Sequence, residues 1–229
     1  MNNFLIENYQ TLLNEIQKIV EKSGRDMNSI KLVAVSKNFP SDAIEILYEK
    51  GHRDFGENRA QDLREKYEDL KNLAIVWHFI GRIQTNKIKY IVPIAEYIHS
   101  VWRMKEIEEI QKRAEEINKT QKVLLEINIS GENSKAGLIP NEVDAFLQEA
   151  TSFKNIKIIG LMTMAPYTDN THVIRNVFRS LRELRDNLNK KYTSIKELSM
   201  GMTNDYKMAI EEGATLLRIG TKIFGNRYL

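Results

Sequence analysis

A lysine that closes an apolar run is the residue in this chain best suited to covalent chemistry. Lys37 follows Lys-Leu-Val-Ala-Val-Ser at 31–36, where its amine can point into a pocket mouth instead of water. Partial desolvation there disfavours the ammonium form and leaves an amine able to condense with an aldehyde or ketone. The same position suits an ordinary lysine with its head in solvent, so position alone leaves both readings open. Two later segments bear on the choice. Ser199-Met-Gly-Met-Thr203 is a glycine-containing turn before a helical pattern, and Gly220-Thr221 is a second such turn after the last apolar run. Backbone N–H groups at such turns, with Ser and Thr hydroxyls, make an anion cradle. Taken singly, the same residues are tight-turn glycines and a Thr203 N-cap. A reactive lysine combined with a phosphate cradle points to a phosphorylated aldehyde or ketone, either pyridoxal phosphate (PLP) or a sugar phosphate. Arg218, two residues before Gly220, is a permanent cation that can face a ring nitrogen or close a salt bridge at a rim.

Other chemistries are excluded or stay undecided. No cysteine occurs in the 229 residues, which removes disulfides, thiol nucleophiles, iron–sulfur clusters and Cys-ligated zinc. His78, between Trp77 and Phe79, suits either a proton relay or a packed wall residue. His52, His99 and His172 are scattered, and no His-Glu-x-x-His spacing exists, so no metal site is expected. Met162, Met164, Met200 and Met202 alternate along strand-like segments and read as core or pocket filling. The net charge of +3 comes from bases interleaved with acids, as at Lys105-Glu106, which describes solvated helix faces and not a nucleic-acid surface. No run reaches the roughly 18–20 apolar residues of a membrane helix. The start, Met-Asn-Asn-Phe-Leu-Ile-Glu, lacks the basic flank of a signal peptide, so a cytoplasmic protein is expected.

The elements that must position these residues alternate. Apolar runs lie at 31–36, 53–55, 75–80, 97–101, 122–129, 156–164, 196–199 and 215–219. Helical patterns fall near 41–50, 59–71, 85–92, 103–118, 141–151, 171–190 and 204–212, after a first helix at about 4–22 stopped by Ser23-Gly24. Ser41 reads as an N-cap, Gly51 as a C-terminal stop, and Asn58 with Gln61 as a capping box. Eight strand–helix units in this length predict a single (β/α)₈ barrel at about 31–227 with an extra N-terminal helix, all one domain over 1–229. The weak second and seventh runs leave an open sheet as the alternative. In such a barrel chemistry sits at the C-terminal strand ends. That rule selects Ser36-Lys37-Asn38, Gly56-Glu57-Asn58, His78, His99, Asn128, Met164, Ser199–Thr203 and Arg218–Thr221.

These residues carry a family resemblance. Ala34-Val-Ser-Lys37, Phe55-Gly-Glu-Asn58, His78-Phe-Ile-Gly-Arg-Ile-Gln-Thr-Asn-Lys87 and Asn128-Ile-Ser-Gly-Glu-Asn-Ser-Lys-Ala-Gly137 resemble the YggS/PROSC pyridoxal phosphate homeostasis proteins. So do Gly160-Leu-Met-Thr-Met-Ala-Pro166, Leu198-Ser-Met-Gly-Met-Thr-Asn-Asp205 and Arg218-Ile-Gly-Thr-Lys-Ile-Phe-Gly225, and together they span essentially the whole chain. The resemblance implies an alanine racemase-like barrel holding PLP as a Schiff base on Lys37. It further implies phosphate binding by Ser199, Gly220 and Thr221, with backbone from Met200 and Gly201. Arg218 would meet the pyridine nitrogen, Asn58 and His78 would line the ring, and Lys135 would be a second lysine near the site. Thr203 replaces a frequent family Ser and keeps the hydroxyl.

An arginine opposite the ring nitrogen weakens the cofactor as an electron sink. Racemases of this fold also draw a second acid/base group from an added β domain and a partner subunit, which a chain ending at Leu229 is expected to lack. The expectation is therefore a cytoplasmic, monomeric PLP carrier supplying PLP-dependent apo-enzymes. A single-barrel amino-acid racemase is the enzymatic alternative, and a Schiff-base aldolase acting on a sugar phosphate is the third reading.

Overall fold

All eight apolar runs form strands in the computed structural model, which describes residues 2–132 and 136–226. They are β1 (Lys31–Val35), β2 (Asp54–Glu57), β3 (Val76–Phe79), β4 (Tyr97–Val101), β5 (Gln121–Glu126), β6 (Ile156–Met162), β7 (Glu197–Ser199) and β8 (Leu216–Ile219). Each strand pairs in parallel with the next, and β8 pairs with β1 through Val33↔Arg218 and its neighbours, so the sheet closes into a barrel. The open-sheet alternative is thereby set aside. Strands buried on both faces read as continuous apolar runs, which is why most of them were visible. The two weak runs belong to short strands whose inward positions are polar or bare. Asp54 and Gly56 stand on β2, and Ser199 ends β7, where only Ser199↔Leu216 registers it to β8.

Helices α1 (Asn2–Lys22), α2 (Ser41–Glu49), α3 (Ala60–Asp69), α4 (Ile88–Ile91), α5 (Met104–Glu116), α6 (Val143–Ala150), α7 (Thr171–Asn189), α8 (Tyr206–Glu211) and α9 (Thr221–Phe224) surround the barrel among the described residues. The pattern at 85–92 resolves into a 3₁₀ turn, Thr85–Lys87, followed by the single turn of α4. Two expected caps are corrected. Ser41 is the first helical residue behind Pro40, and its hydroxyl donates to Asp69 at 2.7 Å instead of capping α2. Arg59 occupies the cap of α3, and Gln61 donates to Glu65 at 2.6 Å, so Asn58 and Gln61 form no capping box. Gly51 does stop α2, at φ 89°.

The first helix buries Leu5, Tyr9, Leu12, Ile16 and Val20, a stripe at three- and four-residue spacing. It packs on α2, α8 and α9 and therefore buttresses the loops at the end of the barrel's last two strands. Asn8 donates to the Ile223 carbonyl at 3.1 Å, and Glu15 accepts from the Tyr206 hydroxyl and from Lys222. Inside the barrel, Val33, Leu124, Ile159, Met162 and Leu216 make an apolar cluster. Beside it stands a polar column from Asp54 through His78 and His99 to Ser199 and Arg218. No helix among the described residues is long and apolar enough to cross a membrane.

Candidate functional site

A cavity of about 880 Å³ opens at the C-terminal ends of the strands. Lys37, Asn58, Arg218, Gly220 and Thr221 all line it, with Thr203, Asn204 and Asp205 from the loop after β7. Met164 and Met202, half-exposed, form part of its rim, while Met162 and Met200 on the opposite parity are buried. The alternating methionines thus divide between pocket and core.

Lys37 lies one residue beyond the expected strand end, in an exposed turn. The side chain is therefore not packed into the strand end as its place after the apolar run suggests. The turn itself is firmly held. Ser36 beneath it is buried, its hydroxyl donates to Glu57 Oε1 at 2.7 Å, and Lys66 Nζ donates to the Ser36 carbonyl at 2.7 Å and to Glu57 Oε1 at 2.5 Å. Burial pushes the Glu57 carboxyl above its usual range, although Lys66 and Ser36 pull it back. Asn38, next to Lys37, has φ 67°, a left-handed conformation that asparagine tolerates better than most side chains. Across the mouth, Gly81 cannot be any other residue without movement, since a Cβ there would meet the Asn58 carbonyl oxygen at 1.9 Å. The loop after β3 therefore clasps Asn58 from above.

The two expected cradle turns differ. Gly220 packs on β1, where a Cβ would stand 3.1 Å from the Val35 carbonyl, and Thr221 opens α9 at the cavity wall. Thr203 lines the cavity, and its hydroxyl oxygen accepts from the Lys222 N–H at 3.4 Å. Gly201, at φ 95°, is buried with the space of a Cβ already taken by Ala209 at 2.6 Å. Ser199 and Met200 are fully buried and absent from the cavity wall. The Ser199 hydroxyl is engaged by Arg218 at 2.5 Å and His99 at 2.8 Å, and the Met200 N–H by the Leu216 carbonyl at 3.2 Å. Neither is presented to a phosphate. Of the turn residues, Thr203, Asn204, Gly220 and Thr221 line the cavity, and Ser199, Met200 and Gly201 do not.

His78 is likewise not a wall of this cavity. It lies inside the barrel, fully buried, stacked on Tyr97 at 4.6 Å between ring centres. Its Nδ1 meets His99 Nε2 at 2.9 Å, so two of the scattered histidines do meet, although no metal-ligating cluster occurs among the described residues. Lys135 lies outside the described residues, as does the expected barrel end at 227.

Arg218 is the floor of the cavity. Nη1 donates to the Ser199 carbonyl at 2.8 Å and to its hydroxyl, and Nη2 donates to the Thr163 carbonyl at 3.0 Å. Guanidinium has five N–H donors, so two are left without a partner among the described residues. Burial pushes this cation down to about 10, with Asp205 and Glu126 opposing. Those two carboxylates are charged neighbours the sequence reading passed over. Glu126 ends β5 at 5% exposure, and burial pushes it up to about 7 against the pull of Arg218. Its signal was a carboxylate interrupting Lys-Val-Leu-Leu-Glu-Ile-Asn-Ile on the inward parity. The apolar pattern continues past it to Ile129, so Asn128 takes the place of the strand end in the sequence. Asp205 holds the Met202 N–H at 2.5 Å and so shapes the turn after β7.

A family model, the N-terminal domain of alanine racemase, matches residues 8–227. A curated relative from Aquifex aeolicus, named pyridoxal phosphate homeostasis protein, is 46% identical over 222 residues, 96% of this chain and 97% of the relative. One of the same name from Pseudomonas aeruginosa is 36% identical over 223 residues, 97% and 96% of the two chains. Among solved structures, PipY of Synechococcus elongatus with PLP bound has a TM-score of 0.82 at 32% identity, covering 92% of this chain and 99% of its own. An alanine racemase of Clostridium difficile, with a TM-score of 0.76 at 15% identity, is covered over 58% of its length by 99% of this chain and shares the barrel fold. The chain belongs to the alanine racemase N-terminal domain family and stands within it among the pyridoxal phosphate homeostasis proteins.

Proposed function

We propose that this protein binds pyridoxal phosphate and keeps it in reserve for PLP-dependent apo-enzymes, without turning over a substrate of its own. The observation that carries this reading is the convergence of three chemically distinct groups on one cavity: the Lys37 amine, the Arg218 guanidinium and the Gly220–Thr221 turn. The donor set fits the cofactor. An amine matches its aldehyde, a glycine turn with hydroxyls matches its phosphate dianion, and a pure hydrogen-bond donor matches its ring nitrogen. Lys37 would hold the aldehyde carbon covalently, Gly220, Thr221 and Thr203 would hold the phosphate, and Asn58 would face the ring. Ser199, Met200, Gly201 and His78, expected as direct contacts, would instead support the floor from beneath.

Bound PLP supplies an electron sink, strongest when its ring nitrogen is protonated. Arg218 has no acceptor and keeps its own protons, so placed against that nitrogen it would favour the unprotonated ring and damp the sink. This supports storage over catalysis, and the names of the relatives agree with it. We take the whole chain as one binding unit acting as a monomer in the cytoplasm. The test pairs a spectrum with an assay. Purified protein should show a visible absorption band with PLP that is lost in Lys37→Ala, and should leave a panel of L-amino acids unracemised over hours. A colourless wild type, or steady production of a D-amino acid that stops in Lys37→Ala, would overturn the reading.

A further inference from the structure

The polar column inside the barrel has one property that no pair of its residues shows alone: its protons can be arranged in only one direction. Arg218 has only donors, so the Ser199 oxygen 2.5 Å from Nη1 accepts. The single hydroxyl proton of Ser199 then has His99 Nδ1, at 2.8 Å, as its acceptor. With Nδ1 accepting, His99 carries its proton on Nε2 and donates it to His78 Nδ1 at 2.9 Å. By the same logic His78 carries its proton on Nε2 and donates to Asp54 Oδ1 at 2.9 Å. Asp54 closes the chain as an anion, paired to Lys31 Nζ at 3.1 Å. The chain runs from cation to anion, Arg218 → Ser199 → His99 → His78 → Asp54, and each of the three members between the ends accepts from one side and donates to the other.

Its path is also unusual. β4 and β7 are not neighbours in the barrel, so the His99–Ser199 bond spans the interior and ties opposite walls. Both rings are fully buried, and burial pushes both histidines below their usual range, as the one-proton assignment requires. A second proton on His99 would make Nδ1 a donor, and the Ser199 proton would have no acceptor left.

We propose that His99 and His78 are positioning residues of the cofactor site: through Ser199 they fix the Arg218 guanidinium at the cavity floor, by a one-directional hydrogen-bond chain anchored on Asp54 at the far end of the barrel. This rests on the PLP-binding reading given above. Neither histidine lines the cavity. Their effect on bound PLP is transmitted by keeping the Ser199 hydroxyl turned away from Arg218, so that the guanidinium is held by two accepting oxygens of one residue. An amide in place of His99 keeps one acceptor and one donor, whereas a phenyl ring keeps the shape and neither.

The test has two arms. Nitrogen-15 NMR of the histidine rings at neutral pH, on protein without PLP, should show both His78 and His99 as neutral rings protonated on Nε2, assigned with His78→Gln and His99→Gln. In spectrophotometric titrations with PLP, His99→Phe should bind at least about tenfold more weakly than wild type and with a displaced absorption maximum, the size of loss common for groups that orient a ligand's partners. His99→Gln should recover most of that loss and the wild-type spectrum. Either ring protonated on Nδ1 overturns the direction of the chain, and a His99→Phe protein with wild-type affinity and band overturns the positioning role. If His99→Phe does not fold, the ring tautomers and a His99→Gln band at the wild-type or a displaced position decide. Wild-type binding beside an unmoved His99→Phe removes the positioning role alone, while a wild type that takes up no PLP removes the proposed function and this role together.

Discussion

Glu126 shows how a single residue at the strand ends can work against the fold that holds it. Its carboxyl is 5% exposed, and burial raises it to about 7 from an ordinary 4.5. A folded value above the unfolded one means the native state binds the extra proton, so stability is greatest below about 4.5 and is lost as pH climbs through 7. A shift of this size corresponds to about 3 kcal/mol. Glu126→Gln should therefore be more stable than the parent by about that amount at pH 8.5 and indistinguishable at pH 4, measured by urea unfolding without PLP. A parent equally stable at both values relative to the variant would contradict the assignment. At this scale the sequence was legible where a residue follows a strand directly. Lys37, Asn58, Gly220 and Thr221 were chosen on that rule, Arg218 from its place two residues before Gly220, and all of them line one cavity. It was not legible where side chains point inward. Ser199 and His78 are near strand ends too, but which face they take follows from register, and one step of register decides between cavity and interior.

Among the elements, α1 has the largest structural role for its distance from the cavity. Leu12 and Ile16 are completely buried where α1 crosses α2, α8 and α9. Leu12→Ala should cost about 3 kcal/mol by creating a cavity, with retention of PLP reduced further than stability alone explains, because α9 begins at Thr221. Thermal unfolding and PLP titration of the same variant test both halves, and a destabilised variant with unchanged PLP affinity at 15 °C would separate the helix from the cradle. The helix itself could be read from its apolar spacing. Its partners could not, since nothing in residues 2–22 names the end of the chain as what they cover. Caps were the poorest reading of all. Ser41 and Asn58 are good N-cap types, yet Ser41 spends its hydroxyl on Asp69 and Asn58 is clasped by Gly81, both of which are distant in sequence.

For the molecule as a whole, a histidine buried between α1 and the closed barrel sets a response to acid. Closure was legible because the strand–helix unit repeats eight times, and the polar interior was not, because His78, His99, Ser199 and Arg218 come together only when β8 meets β1. His52 joins α1 to the barrel, with Tyr9 donating to Nδ1 at 3.1 Å and Nε2 donating to the Asp54 carbonyl at 2.9 Å. Burial pushes it down to about 4 from 6.5. A lowered folded value leaves its stability intact above 6.5 and removes it progressively as pH falls toward 4, by about 3 kcal/mol. His52→Gln should flatten the stability-against-pH curve between 6.5 and 4.5 by about one proton's slope. An unchanged slope would place the acid sensitivity elsewhere.

The central claim concerns one amine. Protein incubated with PLP, reduced with borohydride, digested and analysed by mass spectrometry should carry the reduced cofactor on the peptide containing Lys37, at close to one per chain. Label distributed over several surface lysines, or concentrated on a lysine other than Lys37, would contradict the account.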